Sequence, residues 1–128
     1  IDFFGNTAPF IQFNVVRCKS ILRSAEVDAA TLSWSVNTPL DAAERTLAAG
    51  VLAFPSIVQE AAATYDPSVV ANHCYDLIKA FSSFYQDHPI AKEGDANVRN
   101  LRLALCAAVS TTVSNGMNLL GIDMPERM

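Results

Sequence analysis

The sequence predicts an all-α fold, a single bundle of about five helices. Three observations predict it: prolines stand where helices would begin, apolar residues recur at helical spacing, and no alternating polar and apolar run is long enough for a confident strand. Proline is tolerated in the first turn of a helix because the amide hydrogen that it lacks would be unpaired there. A length of 128 residues suits one domain, which we expect to span residues 1–128.

Prolines mark the starts of the first four helices. These helices follow Pro9, Pro39, Pro55 and Pro67, and we predict them over residues 9–25, 39–52, 55–64 and 67–85. Asp66 is a favourable N-cap for the fourth, since its carboxylate can accept hydrogen bonds from the free amides of a first turn.

The fifth helix has the clearest periodicity. We predict that it begins near Ala96 and ends just before Gly121, because glycine is favoured directly after a helix. Its apolar residues step by four, four, four, four and three positions, which describes one buried face: Leu101, Leu105, Val109, Val113, Met117 and Leu120.

Composition excludes several classes of protein. The chain is 51% hydrophobic and 17% charged, which is far from a disordered profile. No apolar run reaches the roughly 20 residues of a membrane span, so we expect no membrane partner. Three cysteines without a C-x-x-C pair suggest reduced thiols and a cytoplasmic protein.

The net charge of −4 is unfavourable for nucleic acid, but attraction to phosphates depends on local charge. Arg17, Lys19 and Arg23 lie in a stretch without an acid, between Phe3 and Ser24. The first helix is therefore the most basic part of the chain.

Two groups of residues invite a catalytic or metal-binding hypothesis. His73 and Cys74 are adjacent, but consecutive helical residues point about 100° apart, so structural roles are favoured over a nucleophilic pair. His88 with Asp87 and Asp95 lacks the spacing of metal ligands, and we predict no metal site.

Other residues suit RNA binding. Tyr85 stands at a helix end beside a polar loop, where its ring can stack on a base, an interaction of about 1–3 kcal/mol. Arg99 and Arg102 share a helix face, since they are three positions apart. They would either pair with acids on a neighbouring helix or face phosphates.

Both ends of the chain carry the motifs of one family. The sequence L-R-L-A-L at 101–105 is followed by N-G-M-N-L-L-G-I at 115–122 and P-E-R-M at 125–128. Near the start stand N-T-A-P-F-I-Q-F at 6–13, Arg17 and S-I-L-R at 20–23, with F-P at 54–55 and F-Y-Q-D-H-P at 84–89 between. In this order they resemble the C-terminal domain of arginyl-tRNA synthetases over nearly the whole chain, to a Met128 that we expect to be the natural end.

The resemblance implies a helical bundle of the DALR type that binds the anticodon stem-loop of arginine tRNA. It also implies a parent enzyme that joins arginine to its tRNA with ATP and magnesium. The family's H-I-G-H and K-M-S-K-S catalytic motifs are absent from this sequence, so we expect the fragment by itself to be no enzyme and to need no cofactor.

The resemblance also implies binding residues. Tyr85, Arg127 and Met128 match positions that the family places near the anticodon loop. Arg17 and Arg23 match the first helix, and residues 1–25 would link the bundle to the parent's catalytic domain. We add Arg99 and Arg102 as tRNA-binding candidates on grounds of charge.

The chain also departs from the family pattern. Phe10 and Phe13 stand where the family has tyrosine, so two phenolic hydroxyls are lost, and Ala8 replaces a glycine. Without the catalytic domain, we expect Phe3, Phe4 and Phe10 to form an exposed apolar patch that favours self-association.

The expected partners are arginine tRNA and the catalytic domain, with no DNA. Three alternatives stay open: a helical protein-interaction module, the corresponding domain of another class I synthetase, and a small enzyme that uses Cys74.

Overall fold

The computed structural model describes residues 7–128. Its helices are α1 (Ala8–Ala25), α2 (Ala42–Thr64), α3 (Ser68–Asp87) and α4 (Ala96–Leu119), with one turn of 3-10 helix at Ala29–Thr31. The all-α prediction is confirmed, but the described residues form four α-helices rather than about five.

The difference in number arises at Pro55, which lies inside α2. The second and third predicted helices are thus one helix, and the prediction that Pro55 begins a new one was wrong. A proline in a helix interior costs about 3 kcal/mol, because a backbone hydrogen bond is lost and the ring crowds the preceding turn. Residues on both sides of it, including Leu47, Phe54 and Val58, pack on the same core. This shared packing favours a continuous helix over two separate ones.

The start of α2 is fixed by a capping box at Asp41. Its carboxylate accepts a hydrogen bond of 2.8 Å from the Glu44 amide, and the Glu44 carboxylate accepts one of 2.9 Å from the Asp41 amide. Two otherwise unpaired amides are satisfied in this way. The helix therefore begins at Ala42, and Pro39 stands outside it.

The core is built around α4, which contacts each of the other three helices. The predicted apolar stripe faces this core: Leu101, Leu105, Val109, Val113 and Met117 are buried, and Leu120 packs at its edge. Opposite them lie Ile11, Val15 and Cys18 of α1 and Phe81 of α3, all without solvent exposure.

At Gly116 of α4, helices α2, α3 and α4 come together closely. A Cβ atom added there would lie 2.5 Å from Cys74 Sγ and 3.1 Å from Phe54 Cε1, so only glycine fits without a shift. Burial raises the pKa of Cys74 to about 11. A thiol with such a pKa is protonated at neutral pH, which is unfavourable for the enzyme that uses Cys74 as its nucleophile.

Among the described residues, α2 is the one helix long and apolar enough to cross a membrane, with 23 residues and a mean hydropathy of 1.3. No uninterrupted apolar run in the sequence reaches that length, since α2 contains Glu60 and other polar residues. One side of α2 packs on α3 and α4, yet only 6% of its apolar window is buried.

The end of α4 turns the chain back towards α1. Gly121 has a φ of +79°, and the Ile122 amide donates a 3.0 Å hydrogen bond to the carbonyl of Met117. This is the glycine-dependent helix end that the sequence predicts. Residues 123–128 then form a tail that is hydrogen-bonded to Gln12, Lys19 and Arg23 of α1.

Candidate nucleic-acid interface

The outer face of α1 carries the first part of the candidate interface. Phe13, Arg17, Ser20 and Ser24 recur every three or four residues, so they line one side of the helix. The core-facing residues of α1 lie on the other side. Phe13 is 50% exposed, so part of its ring is open to solvent.

Arg17 lies between two aromatic rings. Its Cζ is 4.5 Å from the centroid of the Tyr85 ring and 4.8 Å from that of Phe13. Its Nη1 donates a 3.3 Å hydrogen bond to Oδ1 of Asn14, which is itself buried and donates to the Phe10 carbonyl. A guanidinium over an aromatic face is attracted to the ring quadrupole, so both rings favour this position of the Arg17 side chain.

Tyr85 packs against a core residue on one side. Its ring stacks on the buried ring of Phe81, with centroids 6.3 Å apart and an angle of 5° between the planes. The tyrosine is 38% exposed. The structure thus brings together Tyr85 and Arg17, two of the residues singled out in the sequence, and adds Phe13, which sequence analysis treated only as a lost hydroxyl.

Beside this stack runs an open groove of about 510 Å³ between α1 and the end of α3. One wall consists of Ser20, Ile21 and Ser24, and the other of residues 85–92. The polar groups of the groove include the serine hydroxyls, the Gln86 amide, the Asp87 carboxylate and the Lys92 ammonium, and Pro89 and Ile90 add apolar surface. Such a groove offers hydrogen bonds to the edges of a flat polar ligand and contact to its faces.

The C-terminal tail is bound along a third face of α1, which carries Gln12, Lys19 and Arg23. Gln12 donates to the Asp123 carbonyl at 3.2 Å, and Arg23 to the Glu126 carbonyl at 3.4 Å. Lys19 makes two contacts, with the Pro125 carbonyl at 3.2 Å and the Glu126 carboxylate at 3.0 Å. Lys19 was not among the predicted site residues, although its position four residues before Arg23 places both on one helix face.

Arg127 and Met128 follow directly on Glu126, so the tail ends near Arg23. Both are exposed. The structure therefore places Arg23, Arg127 and Met128 at the same end of α1 as Ser24, which lines the groove.

Arg99 and Arg102 lie on the far side of the 88–95 loop. Arg99 Nη1 donates to the Glu93 carbonyl at 3.0 Å. Arg102 Nε donates to Glu44 at 2.9 Å, and its Nη1 donates to the Glu93 carboxylate at 3.1 Å and the Pro89 carbonyl at 2.7 Å. Of the two alternatives for Arg102, pairing with acids is the arrangement found; contact with phosphates stays a prediction for both arginines.

His88 ties the same loop to the start of α2. Its Nε2 lies 2.6 Å from Asp41 Oδ2 and its Nδ1 3.1 Å from the Phe84 carbonyl, while its ring stacks on Phe84. Desolvation acts to raise the pKa of Asp41, but the Glu44 amide, His88 and Arg102 together outweigh it and lower that pKa. Within residues 7–128, no group of three or more His, Cys, Asp or Glu side chains is placed to hold a metal.

The predicted apolar patch is only partly described. Phe3 and Phe4 lie outside the described residues. Phe10 is half-buried, and its ring meets that of Tyr75 edge-on, with centroids 6.1 Å apart. Self-association through this region stays a prediction.

Comparison with known proteins identifies consistent relatives. A family model described as the DALR anticodon binding domain matches residues 11–128. The arginine–tRNA ligase of Porphyromonas gingivalis is 41% identical over 130 residues, covering 100% of this chain and 22% of the relative. That of Flavobacterium psychrophilum is 41% identical over 128 residues, covering 100% of this chain and 21% of the relative.

Among solved structures, Thermus thermophilus arginyl-tRNA synthetase superposes with a TM-score of 0.80 at 32% identity, covering 99% of this chain and 22% of that one. The chain therefore spans about one fifth of the length of the relatives that it matches.

Proposed function

This chain belongs to the DALR anticodon-binding domain family, and on that premise we propose that it binds the anticodon stem-loop of arginine tRNA as one domain of an arginine–tRNA ligase. The family that the sequence resembles is thus confirmed, and the matched region is not a catalytic domain. The identity of the RNA and the residues that bind it are what we propose.

The observation that carries it is the stack of Phe13, Arg17 and Tyr85 beside the groove. Proteins recognise single-stranded RNA loops by stacking splayed bases on aromatic rings or on the plane of an arginine, and by hydrogen bonds to the base edges. Phe13 offers an exposed ring for stacking, and the groove offers hydroxyl and amide groups. A base that stacks on Tyr85 would take the place of the Arg17 guanidinium, which now covers that ring.

Positive charge is also available around the groove. Lys92 lines it, and Arg23 and Arg127 lie at the adjoining end of α1. These residues would bind phosphates, although the chain as a whole carries a net charge of −4. Arg99, at the far side of the loop, would contribute a longer-range attraction, and Met128 would contact the RNA with its exposed side chain.

The rest of the proposal concerns the parent protein. Its catalytic part would bind ATP and magnesium, residues 1–25 would link that part to this bundle, and the whole would act in the cytoplasm. Taken alone, residues 1–128 would form a single anticodon-binding domain that needs no cofactor and self-associates through its N-terminal phenylalanines.

A titration with an RNA hairpin tests the RNA-binding function. The chain is mixed with the anticodon stem-loop of arginine tRNA, and separately with one whose anticodon bases are changed, at low and at moderate salt. We expect a dissociation constant of about 10⁻⁶ to 10⁻⁴ M. The changed bases and the substitution Tyr85→Ala should each raise it. Tyr65→Ala is the matched control, since Tyr65 is 94% exposed and lies at the opposite end of α3.

Three outcomes are informative. Weakening by both the changed bases and Tyr85→Ala supports recognition of the anticodon at this site. Binding that ignores the bases and the salt favours a protein-interaction module. Equal loss with Tyr65→Ala would contradict the assignment of the site to the α1–α3 groove.

A further inference from the structure

The 88–95 loop forms one wall of the groove but has little backbone hydrogen bonding of its own. Its two end residues are bonded to the helices, the His88 amide to the Phe84 carbonyl and the Asp95 carbonyl to the Arg99 amide. Among the described contacts of residues 89–94, one backbone–backbone bond is present, of 3.3 Å from the Glu93 amide to the Ile90 carbonyl. Loops without regular hydrogen bonds depend on side chains from their neighbours for a fixed position.

Arg102 supplies that support from α4. One guanidinium bonds the Pro89 carbonyl, the Glu93 carboxylate and the Glu44 carboxylate, so it joins the loop to the first turn of α2. The planar fork of arginine fixes the directions of these bonds, which a lysine ammonium does not.

The ion pair behind the wall is shielded from water. The side chains of Arg102 and Glu44 are 11% and 3% exposed. Removal of one partner from such a pair leaves an uncompensated charge and is costly, whereas neutral replacement of both is often tolerated. Arg102 thus has little freedom to leave the pair, and Pro89, whose carbonyl it holds, lines the groove on the other side.

We propose that Arg102 is a positioning residue for RNA binding, in place of the phosphate contact that the sequence predicts. It contacts no RNA and, together with the buried side chain of Ile90, holds the Pro89–Ile90 wall through the Pro89 carbonyl. This rests on the proposed function of the groove. It differs from a direct role in binding phosphates, and the two roles predict different salt dependence.

The test uses the double variant Glu44→Gln/Arg102→Met in the full 128-residue chain. The glutamine keeps an oxygen to accept the Asp41 amide, and the net charge of the protein is unchanged. We expect the stem-loop affinity to fall about tenfold, while the slope of log affinity against log salt stays the same. A residue that binds a phosphate directly would instead reduce that slope by about one.

Arg45→Met is the matched control. It removes an arginine next to Glu44 whose guanidinium bonds the Leu40 carbonyl and not the 88–95 loop, so we expect a smaller loss of affinity than in the double variant. An unchanged affinity in the double variant, or a reduced salt slope, would overturn the proposal. If the double variant fails to fold by circular dichroism, Arg102→Lys takes its place, since it keeps the charge and loses the fork.

Amide hydrogen exchange at residues 90–93 separates failure of this proposal from failure of the proposed function. If the wild-type chain does not bind the stem-loop, the function of the groove is refuted. Faster exchange at 90–93 in the variant then still establishes that Arg102 holds the wall, and unchanged exchange overturns that role as well.

Discussion

The guanidinium of Arg17 on α1 lies 4.5 Å from the ring of Tyr85 on α3. These residues are 68 positions apart in the sequence, and their contact joins the two helices at the edge of the groove. The tyrosine ring is in turn stacked on Phe81 in the core. The buried ring of Phe81 and the guanidinium of Arg17 thus determine the orientation of the partly exposed Tyr85 ring.

Arg17 and Tyr85 should therefore stabilise the fold jointly. We expect a double-mutant cycle with Arg17→Met and Tyr85→Leu to give a coupling energy of about 0.5–1 kcal/mol, because the cation–π contact is partly exposed. Urea unfolding of the wild type, both single variants and the double variant measures it. Strictly additive single effects would contradict the contact.

Lys19 should determine whether the C-terminal tail stays on α1. In Lys19→Met, the contacts to the Pro125 carbonyl and the Glu126 carboxylate are lost, so we expect faster removal of residues 125–128 by carboxypeptidase. If the tail binds RNA, the affinity of Lys19→Met for the stem-loop should also be lower than that of the wild type. Lys79→Met is the control, since Lys79 is exposed and distant in sequence from the tail. Equal digestion rates in the two variants would count against tail docking by Lys19.

Gly116→Ala should destabilise the bundle by about 1–3 kcal/mol, because the new methyl group would overlap Cys74 Sγ. Adding Cys74→Ala should recover part of the lost stability. The rest should stay lost, because the new methyl group would still crowd Phe54. Gly94→Ala is the control, since no atom lies within 4 Å of its added Cβ. Chemical denaturation compares the variants, and a neutral Gly116→Ala would mean that α3 and α4 can separate without cost.

Asp41 should make stability depend on pH. Its pKa in the folded chain is lowered from the reference value of 3.8. The folded state therefore favours the carboxylate, and the resulting stability is present above the unfolded pKa and is lost as the pH falls through the folded pKa.

Asp41→Asn should accordingly lower the melting temperature at pH 7 and have less effect near pH 3. The variant Asp76→Asn, at an exposed pair with Lys79, serves as the reference. Thermal unfolding at both pH values provides the measurement, and a deficit in Asp41→Asn that stays constant with pH would refute the linkage.

Much of the fold could be predicted because its determinants are local. The apolar stripe of α4 and the glycine that ends it act over one or two helical turns, so spacing alone indicated them. Asp66 was predicted as the N-cap of α3, but Pro67, one residue later, holds that position. The Asp66 carboxylate still accepts a 3.0 Å bond from the Ser68 amide. Pro55 lay beyond such reasoning, since a proline can begin a helix or stand within one, and the packing of both flanks on the core decided between them.

The candidate site also has features that the sequence predicts and features that it does not. Tyr85 and Arg17 were indicated by family motifs, and the basic character of the first helix by composition. The partners of Arg102 and Lys19 could not be predicted, because Glu44 is 58 positions from Arg102 and Glu126 is 107 from Lys19. The sequence by itself determined which segments are helical and which faces are apolar. Tertiary packing alone decided which charged side chains meet, because a long flexible side chain bonds whatever group the packed helices bring within its reach.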